Sequence, residues 1–304
     1  QKFLVAGMSK SGESAARFLL KRGAEVYLYD DVVSDKISAL VASLEELGAH
    51  GVDAEGLERA VSICDVLVLS PGIPIDHSLA VSFRRQGKNI IGEEELGALY
   101  LRATAVAVTG TNGKTTTVSM INDILCADGK HSIMCGNIGN PLANEVEQLG
   151  FDDFAVIEVS SFQLETLSDL RPHVAVITNI TEDHLNRHYN MENYIFLKGK
   201  LLRNLRGSEY AVLNYDDPIV RAFAEKVRCK VIFFSMEQRT DGVWCDNGAV
   251  YCEGERLFSV NDMKTEGRHN VYNALAAIAV AEAMGINLQT AAKAVCAFRG
   301  VRHR

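Results

Sequence analysis

Val106-Ala107-Val108-Thr109-Gly110-Thr111-Asn112-Gly113-Lys114-Thr115-Thr116 is an apolar run that stops at a glycine turn and passes through Gly-Lys-Thr into the amphipathic stretch 114–127. That order predicts a buried strand feeding a helix N-terminus, where backbone N–H groups and the helix dipole face a polyphosphate. In this reading Gly110, Thr111, Asn112 and Gly113 form the cradle, with Thr116 in the helix's first turn. Lys114 neutralises phosphate charge and the Thr115 hydroxyl sits on Mg2+. The spacing departs from the general phosphate-loop motif, which has a glycine five residues before the second one. That position is Val108, and Gly110 lies only three before Gly113, so the turn is of a shorter subclass.

Outward from this stretch, short β-branched runs alternate with amphipathic ones, the pattern of parallel strands covered by helices. Before it, Phe3–Gly7, Val26–Asp30, Val66–Ser70 and Asn89–Ile91 read as one sheet, with helices at Ser11–Arg22, Lys36–Leu47 and His77–Gln86. From it onward, Ala105–Thr109, Ala155–Ser160, Val174–Asn179, Ala211–Asn214 and Val231–Phe234 read as a second. Its helices are Lys114–Ala127, Met191–Leu205, Ile219–Lys226 and Asn273–Ala283. Around Asn247-Gly248 and Glu253-Gly254 the alternation gives way to hairpins, with Trp244 as packing. The fold class is therefore α/β: a Rossmann-like parallel-sheet domain, then a phosphate-loop ATPase-type domain with a small hairpin region. The charged restart Gly92-Glu93-Glu94-Glu95-Leu96 sets the expected boundary, giving domains at 1–92 and 93–299. The cationic tail 300–304 reads as a linker to a further domain.

Composition narrows the function classes. The 304 residues carry 31 Lys and Arg against 39 Asp and Glu, a balance of −8, which argues against a general nucleic-acid binder. No apolar run reaches the ~18 residues of a membrane span; the longest candidate, Ala274–Ala281, meets Glu282. The seven scattered cysteines form no CxxC pair and read as reduced thiols of a cytoplasmic protein.

Two further strand ends carry chemistry. Glu158 interrupts the apolar run Val156–Val159 near its C-terminal end, where ligands of open α/β sheets collect, and Mg2+ is the cation that a buried carboxylate there invites. Thr178–His188 crowds polar groups at a neighbouring strand exit. His184 and His188 have the spacing of a zinc helix, but Leu185 stands where a zinc protease has its glutamate. Zinc hydrolysis is rejected; His184 is a candidate for a second Mg2+, and His188 is expected at the surface or as a helix cap.

GTNGKTTT, CGNIGNP, EVSSFQLE, TNITEDHLNRH, Tyr194-x-x-x-Lys198 and GRHNVYNALAA occur in the order and at the separations of the Mur ligases, and the whole chain resembles that family. The resemblance implies an ATP-dependent, acid–amino-acid ligase of peptidoglycan precursor synthesis with three domains. EVSSFQLE points within the family to the branch that joins D-glutamate to UDP-N-acetylmuramoyl-L-alanine. The third domain would follow Arg304, so this chain alone is expected not to turn over. The resemblance further implies a cytoplasmic monomer without nucleic-acid or membrane partners, ATP, and two Mg2+ ions.

By that resemblance Lys114, Glu158, His184 and Lys198 are catalytic, Thr115 and Glu158 hold the ATP metal, and His184 and Lys198 serve the second one. An ammonium beside Mg2+ is repelled, and the resemblance implies a carbamylated Lys198 in its place. Asn137 is expected to touch substrate, Asn270 and Asn273 to face adenine unless Asn270 only caps its helix, and Arg304 to reach phosphate. In the first domain, Gly7-Met8-Ser9-Lys10-Ser11-Gly12 nearly spells a dinucleotide fingerprint, but Ser9 takes the middle glycine's place. A uridine-nucleotide site is expected instead. Ser9, Lys10 and Ser11 would lie around phosphate, and Asp30, Asp31, Ser70, Pro71 and Gly72 near the nucleoside. The alternatives are another Mur-type or folylpolyglutamate-type ligase, an NAD-binding oxidoreductase that leaves GTNGKTTT unexplained, and an idle nucleotide sensor.

Overall fold

The computed structural model describes residues 1–301, so Arg304 lies outside the described residues. Two compact units divide the chain: one comprises 1–101 with two returning segments, 141–148 and 162–169, the other 102–140, 149–161 and the chain from 170 onward.

The first unit runs β1 (Lys2–Ala6), α1 (Lys10–Lys21), β2 (Glu25–Tyr29), α2 (Asp35–Glu45), β3 (His50–Gly51), α3 (Leu57–Ile63), β4 (Val66–Leu69), α4 (Ser78–Arg85), β5 (Asn89–Ile91) and α5 (Glu93–Ala98). All strands are parallel in the order β3-β2-β1-β4-β5. The central strands β1 and β4 are apolar without alternation because both their faces are covered. Between β1 and β4 the strand order switches direction, and their C-terminal ends lie side by side.

The glutamates that read as a charged restart are buried at the start of α5. Glu93 accepts from the Ala143 N–H at 2.5 Å, and Glu95 from the Ser168 and Asp169 N–H groups at 2.9 and 2.7 Å. These carboxyls thus tie both returning segments into the unit. Burial pushes the Glu93 carboxyl up to about 7, and burial beside Glu93 raises Glu94 well above the ordinary range.

The chain continues through β6 (Thr104–Thr109), α6 (Lys114–Ala127), β7 (Ser132–Gly136), α7 (Leu142–Glu145), β8 (Phe154–Glu158), α8 (Ser161–Leu164), β9 (Val174–Ile177), α9 (Leu185–His188) and α10 (Met191–Gly199). It ends with β10 (Tyr210–Asn214), α11 (Pro218–Arg221), β11 (Lys230–Ser235), β12 (Val243–Asp246), β13 (Ala249–Cys252), β14 (Glu255–Ser259), α12 (Arg268–Ala283) and α13 (Leu288–Ala297). The second unit's sheet has the order β14-β13-β12-β11-β10-β9-β6-β8-β7, parallel from β12 to β7 and antiparallel at β12-β13-β14. The hairpin turns have positive φ at both central residues, Asn247 (48°) with Gly248 (74°) and Glu253 (50°) with Gly254 (85°), the handedness that suits twisted strands. Trp244 is packing, stacked on Tyr251 with ring centroids 5.5 Å apart.

Against the sheet lies α12, apolar on every side from Ala274 to Ala281 and fully buried, which is why its pattern lacks a polar face. Among the described residues no helix is long and apolar enough to cross a membrane, and all seven cysteines are free thiols. The helix expected over Met191–Leu205 ends at Gly199 and tightens into a 3-10 turn at Lys200–Leu202. A Cβ at Gly199 would stand 2.7 Å from the Phe223 ring, so close packing requires the residue least suited to prolong a helix.

Candidate functional site

The site grows from the C-terminal end of β6, the strand flanked by β8 and β9. The loop 110–113 closes with Gly113 left-handed (φ +83°), the N-cap of α6 without any side-chain cap. A Cβ at Gly113 would stand 2.2 Å from Asn273 Oδ1, and one at Gly110 would stand 1.9 Å from Thr178 Oγ1, which explains the glycines of this shorter loop. Asn179, to which sequence reasoning gave no role, holds the loop down: its carbonyl accepts from the Thr111 N–H and its Oδ1 from the Asn112 N–H, both at 2.9 Å. The first N–H groups of α6 have no intrahelical acceptor and are available to an anion.

Lys114 Nζ folds over the loop, donating to the Gly110 and Thr111 carbonyls at 3.0 and 2.8 Å. From the other side comes Lys198 Nζ, donating to the Gly110 carbonyl at 2.8 Å and to Thr109 Oγ1 at 3.1 Å. The two ammonium groups thus converge on one carbonyl oxygen. Burial above all, and then the charge of Lys114, bring the Lys198 pKa down to about 7, with Asp183 and Glu158 opposing. Lys198 is positioned by α10, whose N-cap Asn190 accepts from the Asn193 N–H at 2.8 Å.

Glu158, 1% exposed at the end of β8, receives the Thr115 hydroxyl at 2.7 Å on one oxygen and Asn137 Nδ2 at 2.8 Å on the other. Thr115 and Glu158, paired in the sequence reading, are thereby joined by Asn137 in one cluster. Both donors to the buried carboxylate are neutral, so a cation would be welcomed between Thr115 and Glu158. Their hard oxygens are the kind that Mg2+ takes. Among the described residues no three or more His, Cys, Asp and Glu side chains group as a metal site.

His184 caps α9 in the left-handed region (φ 53°), half exposed, its Nε2 3.3 Å from Asp183 Oδ2. His188 corrects the expectation of a surface or capping residue. It is 2% exposed, bonded through Nε2 to Ser161 Oγ at 3.0 Å and stacked on Tyr194 at 5.5 Å. The one-turn α9 turns this ring inward, and Tyr194 in turn shares a 3.1 Å hydrogen bond with Thr111 Oγ1 in the loop.

Beside the loop opens a cleft of about 910 Å3, lined by Gly113, Thr116, Asn179, Asp216, Tyr272 and Asn273 among others. Asn273 Oδ1 accepts from Thr117 Oγ1 at 3.3 Å. Asn270 is not the N-cap, which is Gly267; its Nδ2 donates to the Glu266 carbonyl at 2.7 Å. Asp216, overlooked in the sequence although it sits in Asn214-Tyr215-Asp216-Asp217, accepts from Met236 N–H at 2.7 Å and Tyr272 OH at 2.9 Å.

In the first unit, the C-terminal ends of β1 and β4 bring Ser9 and Ser70 together, their hydroxyls 2.9 Å apart. Lys10 and Ser11 follow in the first turn of α1, Asp30 accepts from the Met8 and Val32 N–H groups at 2.6 and 2.8 Å, and Pro71 and Gly72 continue the turn after Ser70. Asp31 is held by Tyr29 OH at 2.9 Å and by His77 at 3.4 Å, on the outer side. A Cβ at Gly12 would stand 1.9 Å from the Gly7 carbonyl oxygen, so α1 approaches β1 as closely as a glycine permits.

The profile described as Mur ligase middle domain matches residues 108–281, and that described as Mur ligase MurD-like, N-terminal domain matches residues 1–92. The UDP-N-acetylmuramoylalanine–D-glutamate ligases of Pelotomaculum thermopropionicum and Clostridioides difficile are 42% and 36% identical, each over 100% of this chain and 68% of the relative. In structure the chain is similar to the UDP-N-acetylmuramate:L-alanyl-gamma-D-glutamyl-meso-diaminopimelate ligase of Neisseria meningitides. That likeness has a TM-score of 0.66 at 22% identity and covers 100% of this chain and 99% of that one. At that identity it speaks for the fold.

Proposed function

This chain belongs to the Mur ligase family of ATP-dependent, amide-forming ligases, and from that premise we propose that it serves the joining of D-glutamate to UDP-N-acetylmuramoyl-L-alanine in the cytoplasm. The relatives named for that reaction support the substrates, and the convergence of Lys114 and Lys198 on the Gly110 carbonyl carries the site assignment.

A carboxylate is a poor acyl donor because its charge repels nucleophiles and oxide is a bad leaving group. In the proposed sequence a carboxylate oxygen of the alanine attacks the γ-phosphorus of ATP, the bond to the β-phosphate oxygen breaks, and ADP leaves with the electron pair. The D-glutamate amine then attacks the acyl phosphate carbonyl carbon, loses a proton, and expels inorganic phosphate. Two anions must meet in the first step, so charge cancellation and alignment dominate. The N–H groups at the start of α6 hold phosphate oxygens, and Lys114 swings from the loop carbonyls onto the γ-phosphoryl group. Thr115 and Glu158 would hold Mg2+, which supplies charge neutralisation of the phosphates. Asn137 fixes the Glu158 carboxylate and faces the acceptor, while Asn270, Asn273 and the 910 Å3 cleft take the adenosine part.

Lys198 sits where an anion is wanted and is itself a cation of lowered pKa, so a neutral amine is available to take up CO2. Addition of the amine nitrogen to the CO2 carbon would release one proton to solvent, and the resulting carbamate oxygens, with His184, would hold a second Mg2+. In the first unit Ser9, Lys10, Ser11 and Ser70 would bind the diphosphate, with Asp30 towards the ribose. Calorimetric titrations with Mg-ATP and with UDP-N-acetylmuramoyl-L-alanine, each alone, test this reading. Saturable binding of both is expected, and a folded sample that binds neither refutes it.

A further inference from the structure

A second cleft, of about 1030 Å3, shares no residue with the nucleotide cleft. It lies between α10, the 3-10 turn that follows, the loop 203–207 and the segment 223–228. Its floor is apolar: Leu202, Leu205 and Phe223 are buried, and Ile195 and Val227 half-buried. Phe196 stands at the edge, 70% exposed. Lys200, Arg203, Arg206, Lys226 and Arg228 line the cleft, against the single acid Glu192.

That is a local reversal in a chain whose balance is −8. Among the described residues the side chains of Arg203, Arg206 and Arg228 make no ion pair, whereas Arg171 and Arg268 do. Three unpaired guanidinium groups around an apolar trough define the complement: carboxylates at the rim and apolar side chains reaching the floor. Guanidinium is suited to the rim because it takes carboxylates in bidentate fashion, and aromatic and arginine side chains are what interface centres collect.

We propose that this groove is a docking site for an acidic, amphipathic segment of a partner protein, laid across α10 with its apolar side chains on Phe196 and Phe223. A flat anionic bilayer meets the rim and leaves the floor empty, and a nucleic-acid backbone has no apolar group to send there. The occupant rests on the helix that, on its other face, carries Tyr194 and Lys198 to the phosphate loop.

The test is a selection of random displayed 12-residue peptides on the full chain, repeated on R203E/R206E/R228E and on F196S, whose thermal melts confirm folding. Enrichment of Glu- and Asp-rich peptides with spaced Leu, Ile or Phe is expected. The best of them, fluorescein-labelled, should bind one to one by anisotropy, weaken at least tenfold with the triple charge reversal and several-fold with F196S, and weaken with added salt. Mg-ATP binding should be retained by both variants. The proposal is overturned by enrichment without acidic character, by equal binding to the triple variant, or by no enrichment at all. Stronger retention on phosphatidylglycerol vesicles than on the selected peptide also overturns it, in favour of a membrane.

Discussion

Replacing Glu158 by Gln separates the two jobs of this carboxylate. Among the described residues its oxygens accept from Thr115 and Asn137, both neutral, at 2.7 and 2.8 Å. A hydrogen bond to a charged acceptor is worth about 1.5–3 kcal/mol and one to a neutral acceptor about 0.5–1.5, so the amide forfeits roughly 2 kcal/mol over both bonds. Removing an ion from a site that is 1% exposed offsets this by several kcal/mol of desolvation. Glu158→Gln should therefore be as stable as the parent, or more stable by up to about 2 kcal/mol, when no metal is present. With Mg-ATP the sign reverses. At a ligand concentration of about 100 Kd the parent gains about 2.7 kcal/mol. For a unit of this size that is a melting shift of about 5–11 °C. The variant should keep only the smaller shift that ATP gives with a chelator present. Differential scanning fluorimetry with ATP, with Mg-ATP and with neither reads all three states. A variant that retains the full magnesium-dependent shift, or that melts well below the parent without metal, would refute the assignment of Glu158 as the metal's carboxylate.

Gly113→Ala should lose roughly 2–3 kcal/mol, from the left-handed backbone and the displaced Asn273, and its ATP affinity with it; chemical denaturation and calorimetry check both. Gly12→Ala should destabilise the first unit by about 1–3 kcal/mol through its clash with the Gly7 carbonyl, with ATP binding intact, as titration of both ligands would reveal. Folding raises the Glu93 carboxyl to about 7, so its contribution is complete below about pH 4.5 and is lost as pH climbs through about 7; Glu94, raised by burial beside Glu93, acts in the same direction. Glu94→Gln should lessen the fall of melting temperature with rising pH; curves parallel to the parent's would count against this. With 13C-labelled CO2 at fixed concentration, Lys198 should give a carbamate resonance that grows as pH passes about 7 and is absent from Lys198→Ala.

How far the sequence could be read follows from range. The helix over Lys114–Ala127 was legible to the residue because glycine, lysine and apolar periodicity all act within one turn. Parallel strands such as Val66–Leu69 showed as unbroken apolar runs, and both hairpins announced themselves through Asn247-Gly248 and Glu253-Gly254. Illegible was whatever depends on a distant partner. The inward turn of His188 needs Ser161 and Tyr194, and the burial of Glu93 and Glu95 needs N–H groups 50 and 73 or 74 positions away. In the sequence Asn179 is one polar residue in a crowded strand exit, and the fold is what brings it over the phosphate loop to pin it.

The two segments that return to the first unit also set a schedule. A ribosome delivers residues 1–101 well before 162–169, so during synthesis the carboxyls of Glu93 and Glu95 wait without the amides that satisfy them. The N-terminal body of the nascent chain is complete only after segments 102–140 and 149–161 of its neighbour have emerged, which makes its last step a distant closure.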